Sequence, residues 1–116
     1  MAETFYSLRT ARLQLEPPSD RFVAEVAAEL GQIDVARWLS SPPFPYTDQD
    51  ARKFVEACRS DHGRVWFIKA GDQFVGCASL FDELGFWFAK NAWGKGYATE
   101  IARKLSDVWT YLKRLE

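Results

Sequence analysis

Polar and apolar residues alternate through Arg12-Leu13-Gln14-Leu15-Glu16, and Pro17-Pro18 stops the alternation, which predicts one short strand. Ser19 or Asp20 can then cap a helix whose apolar positions are Phe22, Val23, Val26, Ala27 and Leu30, with Gly31 ending it. A second short helical stretch is expected from Ile33 to Leu39. Three prolines exclude regular structure from Ser40 to Tyr46, because each removes a donor and restricts its predecessor. Thr47-Asp48-Gln49-Asp50 has the spacing of a capping box, with Asp in the place of Glu. It opens a helix carrying Ala51, Phe54, Val55 and Cys58 on one face, closed by His62-Gly63.

Three strands follow. Val65–Ile68 is the first, a tight turn at Gly71-Asp72 leads into Phe74–Leu80, and Leu84–Ala89 comes after Asp82-Glu83. Gly76 marks a bend or bulge in the middle strand. A last helix begins near Gly96 or Tyr97, with Ile101, Leu105, Val108 and Leu112 as its inner stripe. Glu100, Arg103, Lys104 and Asp107 are expected to face water. The order of strand, two helices, three antiparallel strands and helix is an α+β layout.

The 116 residues show no repeat or linker and read as one domain over 1–116. A net charge of -1 argues against nucleic acid as a partner and against an anionic membrane surface. No apolar run approaches membrane-spanning length and the start lacks a signal-peptide pattern, so a cytoplasmic protein is expected. Cys58 and Cys77, each among apolar neighbours, read as buried free thiols; with His62 the one histidine and in an expected turn, the pattern argues against zinc and thiol chemistry. An aromatic content of 16% supplies a bulky core with some surplus for a cleft.

The segment that carries chemistry runs from Trp87 to Glu100, where a bulky strand enters a glycine-bearing loop and then an amphipathic helix. Unpaired N–H groups of a first helical turn, with the positive end of the helix dipole, suit an anion. Gly94 and Gly96 let the backbone approach such a ligand, and Lys95 adds a positive charge. The spacing fits neither a Walker loop nor a dinucleotide fingerprint. Two readings stay open on spacing alone: an anion site, or a plain strand-to-helix turn.

Four segments together resemble the GNAT acetyltransferases, nearest the RimJ/RimL-like branch: Leu8–Leu13, Pro45–Ala51, Leu84–Phe88 and Trp93–Glu100. The resemblance spans nearly the whole chain, and Trp93-Gly94-Lys95-Gly96-Tyr97-Ala98-Thr99-Glu100 is its most specific part. It implies a GNAT-like antiparallel sheet and an acetyl-coenzyme A-dependent transfer of an acyl group to a primary amine. Trp93 to Thr99 would hold the coenzyme A pyrophosphate, with Gly96 and Ala98 at the small-residue positions. Trp87 and Phe88 would lie on the strand whose main chain pairs with pantetheine, one of its N–H groups polarising the thioester carbonyl.

The family pattern continues with a strand, a helix and a hairpin beyond the point where Lys113-Arg114-Leu115-Glu116 end this sequence. The resemblance thus implies a C-terminally truncated domain, short of one cleft wall and of the side chain that protonates the leaving thiolate. Glu83 is the candidate base, against the alternative of a solvated turn carboxylate. Trp38, Phe44 and Tyr46 are candidates for the acceptor side, with core aromatics as the alternative. The acceptor amine, a small molecule or a peptide N-terminus, is not legible. The strand Leu84–Ala89 would lack a neighbour, so a homo-oligomer that completes the site is expected. The rival readings are an inactive coenzyme A-binding remnant and a protein-interaction module.

Overall fold

The computed structural model describes residues 7–30, 47–59, 64–80 and 84–114. Two short strands, β1 (Leu8–Arg9) and β2 (Gln14–Glu16), form the first hairpin. A 3₁₀ turn at Asp20–Phe22 leads into α1 (Val23–Leu30), and α2 follows at Asp48–Arg59. The meander β3 (Val65–Ala70), β4 (Gln73–Leu80), β5 (Leu84–Phe88) is succeeded by a 3₁₀ turn at Lys90–Ala92 and by α3 (Tyr97–Arg114). The five strands form one antiparallel sheet in sequence order.

The α+β layout expected from the patterning is present, with one strand more than predicted. The segment predicted as a single strand from Arg12 is shorter, because Thr10 to Leu13 close the β1–β2 hairpin: the Thr10 N–H donates to the Leu13 carbonyl at 2.9 Å. Two-residue β1 carries too short an alternation to be seen in sequence. The expected helix at Ile33–Leu39, its neighbours Gly31 and Ser40–Tyr46, and the stop at His62-Gly63 lie outside the described residues.

Local chemistry accounts for the start of α2. Asp50 accepts from the Thr47 N–H at 2.9 Å while its own N–H donates to Thr47 Oγ1 at 3.1 Å, so aspartate completes the capping box. Ser19 occupies the N-cap position ahead of Asp20–Phe22, yet its side chain makes no cap hydrogen bond.

Both faces of the sheet are covered. Val65, Phe67, Phe74, Cys77 and Trp87 pack beneath α1 and α2 with Phe22, Val26, Ala51 and Val55. Trp66, Ile68, Val75, Ala78 and Phe88 face α3, whose Ile101 and Leu105 are fully buried. A strand buried on both sides reads as an unbroken apolar run, which is why Val65–Ile68 shows no alternation. Each fully buried aliphatic side chain here contributes about 1.5–3 kcal/mol. Cys58 and Cys77 are buried free thiols, as expected; a hydrogen bond with Cys58, together with burial, pushes the Cys77 thiol well above its ordinary range. Among the described residues no group could hold a metal ion, and no helix is long and apolar enough to cross a membrane.

Candidate functional site

The glycine loop sits where β5 hands over to α3. Gly94 and Gly96 both adopt left-handed backbone, at φ +79° and +80°. No atom lies within 4 Å of where a Cβ would stand on Gly94, so the loop is open on that side. The first helical bond runs from the Glu100 N–H to the Gly96 carbonyl at 3.2 Å. The N–H groups of Tyr97, Ala98 and Thr99 therefore precede the helical ladder, at the positive end of an 18-residue helix.

Trp87 and Phe88 point to opposite sides of the sheet. The Trp87 ring is buried against Phe54 and Phe74, and the Phe88 ring lies near Tyr97 and the ring of Phe86. Their side chains are core, which leaves the main chain as the part of this strand open to its edge. Just past the β4–β5 ladder, the Ala89 N–H donates to the Val75 carbonyl at 2.7 Å. Hydrogen-bonded and non-hydrogen-bonded pairs alternate, so Trp87 and Gly85 direct their main-chain groups at β4. Phe86 and Phe88 direct theirs away from β4. The Phe88 carbonyl accepts from the indole N–H of Trp93 at 2.9 Å, which anchors an otherwise half-exposed ring beneath the loop.

The loop rests against the β1–β2 hairpin. Glu100 gathers it in: Oε1 accepts from Arg12 Nε at 2.7 Å, and Oε2 accepts from the Arg12 backbone N–H at 2.9 Å and from the Thr10 hydroxyl. Arg12 Nη1 also donates to the Lys95 carbonyl at 2.9 Å, and its guanidinium lies 4.8 Å above the Tyr97 ring centroid. The expectation that Glu100 faces water is corrected, since its side chain is 17% exposed and ion-paired. Helical periodicity places Glu100 off the apolar stripe but cannot see an arginine 88 residues away. Thr10 and Arg12 had a place in the segment Leu8–Leu13 but no expected part in the site. The one hint was an acidic residue in the first turn, a position that also suits the dipole.

The Thr10 hydroxyl first, then the Arg12 N–H and guanidinium, hold the Glu100 carboxyl below its ordinary range. A carboxyl whose folded value is depressed stabilises the protein above its unfolded value, about 4.3, and that contribution is lost as pH falls through the folded value. Wild type is therefore expected to lose more denaturant resistance between pH 6 and pH 3 than Glu100→Gln does, measured as urea midpoints. Equal losses in the two proteins would contradict the assigned role.

Lys95, Gly94 and Thr99 are exposed, Tyr97 and Ala98 are half-buried, and all belong to the same turn as Trp93. Glu83, Trp38, Phe44 and Tyr46 lie outside the described residues.

Residues 12–116 match the family model of the acetyltransferase (GNAT) domain. No curated protein matches the sequence. Among solved structures, the chain is similar to the microcin self-immunity acetyltransferase MccE in complex with acetyl-CoA and AMP, at 22% identity and a TM-score of 0.72, over 85% of this chain and 63% of that one. It is similar to a GNAT-family acetyltransferase from Bacillus anthracis at 21% identity, with a TM-score of 0.73 and the same two coverages. A third is the acetyltransferase from Salmonella typhimurium that modifies the N-terminal serine of a 50S ribosomal subunit protein. There the identity is 18% and the TM-score 0.68, over 88% of this chain and 66% of that one. The chain thus spans less than two thirds of the length of the first two structures.

Proposed function

The chain belongs to the GNAT acetyltransferase family, and on that premise we propose that it binds acetyl-coenzyme A at the Trp93–Thr99 loop and acts as an N-acetyltransferase toward a primary amine. The observation that carries this reading is the loop itself: two glycines at positive φ open directly onto the N-terminus of α3, beside the outward-facing main chain of β5. The residues fit such a ligand, because the space a Cβ would take on Gly94 is open beside the first-turn N–H groups of α3.

When bound, acetyl-coenzyme A supplies an acyl group activated as a thioester. The backbone N–H groups of Gly96 to Thr99, with the Lys95 ammonium nearby, would hold its phosphates. Trp93 braces the loop through its bond to Phe88. The outward N–H groups of Phe86 and Phe88 are the donors of β5 suited to an extended chain or a developing oxyanion, and Trp87 fixes the strand through its buried ring. Glu83, immediately before β5, is the proposed base, and Trp38, Phe44 and Tyr46 the proposed acceptor-side residues.

Phe86 is 41% exposed on β5, the last strand of the sheet in the order among the described residues. A second copy of the chain pairing with β5 near its start, at Leu84, would leave the Phe86 and Phe88 N–H groups to the ligand, and the homo-oligomer would then be the active form.

Coenzyme A is expected to raise the melting temperature and to bind by calorimetry, and light scattering of the same sample should give a mass above that of one 13.3 kDa chain. Absence of coenzyme A binding refutes the reading. Binding without acetyl transfer to amines or peptides would leave a coenzyme A-binding protein.

A further inference from the structure

We infer that Arg12 is a positioning residue for the glycine loop and that it does so by setting the direction of the Gly96 N–H. Its guanidinium reaches three parts of the loop and helix start at once. Nη1 holds the Lys95 carbonyl at 2.9 Å, Nε holds Glu100 at 2.7 Å, and Cζ stacks 4.8 Å over Tyr97. Nη2 stands 3.4 Å from where a Cβ on Gly96 would be.

The Lys95–Gly96 peptide is planar and trans, so its C=O and N–H point in opposite directions. With the carbonyl held on Arg12, the Gly96 N–H is turned to the face away from the guanidinium. Gly96 gives this peptide little resistance of its own to rotation, since a flip turns ψ of Lys95 and φ of Gly96, and glycine visits positive and negative φ readily. A flipped peptide would present the Lys95 carbonyl oxygen where a donor had been, and an oxygen repels an anion. Arg12 also offsets the Glu100 carboxylate, which stands in the first turn of α3 and would otherwise weaken the positive end of the helix. Lysine cannot replace it, because two divergent acceptors and a ring face call for a planar fork rather than a point charge.

The effect on ligand binding rests on the loop being the coenzyme A phosphate site; the effect on the peptide does not. Two measurements separate them. Relaxation dispersion on ¹⁵N-labelled, ligand-free protein is expected to show exchange at Gly94 and Gly96 in Arg12→Lys and Arg12→Gln, absent from wild type. Calorimetry is expected to show coenzyme A affinity reduced roughly tenfold or more in both variants. Glu100→Gln, which leaves the Lys95 tether in place, should lose less. Flat dispersion profiles at Gly94 and Gly96 in the lysine variant would overturn the inference. So would coenzyme A binding by that variant as tight as wild type, since charge alone would then suffice. Should Arg12→Gln fail to fold, Arg12→Lys carries both arms. Should wild type fail to bind coenzyme A, the site reading falls while the dispersion data still decide the role of Arg12.

Discussion

Gly96→Val is expected to abolish measurable coenzyme A binding while the protein stays folded. The reason is conformational before it is steric. At φ +80° a β-branched residue is strained by about 1–3 kcal/mol, and the loop can shed that strain only by leaving its left-handed conformation. Leaving it rotates the Lys95–Gly96 peptide and breaks the Arg12 bond to the Lys95 carbonyl. The nearest atom to a new Cβ, Arg12 Nη2 at 3.4 Å, is at ordinary contact distance, so a smaller side chain would suffer from the φ requirement too. Gly96→Ala is accordingly expected to lose affinity as well, though less. Calorimetry on the wild type and both variants checks this, with far-UV circular dichroism confirming the fold. Unchanged affinity in Gly96→Val would remove the loop from the coenzyme A site.

Gly76→Ala should be the most damaging single-methyl addition in the sheet, costing about 3 kcal/mol, the upper end of typical overpacking. A Cβ there would lie 2.3 Å from the Trp87 carbonyl oxygen and 2.9 Å from Phe88 Cδ1. The carbonyl belongs to the neighbouring strand, so it cannot move without opening the β4–β5 ladder. The damage falls on the strand that supports the loop, which ties the stability of the sheet to the shape of the site. A denaturant midpoint within error of wild type would show that β5 can yield there after all.

The same glycine illustrates how far local pattern reading reaches. A glycine inside an apolar strand pattern marks a bend, a bulge or a close approach, and the structure shows two of these side by side. β3 pairs Ile68 with Gly76 and Lys69 with Phe74, which leaves Val75 as the bulged residue, while Gly76 itself makes room for β5. Of the stripe expected on α3, Val108 is half-buried and the Leu112 side chain lies outside the described residues. The meander, α2 with its aspartate capping box, the buried Ile101 and Leu105 of α3 and the Trp93-to-Thr99 turn were all legible from residue order. Each of these depends on interactions within a few positions: a side chain reaching a nearby N–H, a turn between adjacent strands, or a 3.6-residue apolar period.

Other features were beyond any local reading. Glu100 counted as a water-facing helix residue because periodicity asks only whether a position lies on the apolar stripe. Its partners Thr10 and Arg12 come from a hairpin at the other end of the sequence. Similarly, Trp87 and Phe88 look equivalent as neighbouring aromatics. The ladder register alone aims the main chain of Phe88 outward and that of Trp87 at β4. Every described strand except β1, the described α-helices, the inner positions Ile101 and Leu105 and the glycine turn therefore follow from residue order, because those are set by backbone stereochemistry and by which side chains avoid water. Which carboxylate clamps that turn, which carbonyl Arg12 holds and which N–H groups of β5 point away from β4 follow from the fold alone, because those depend on how distant segments meet.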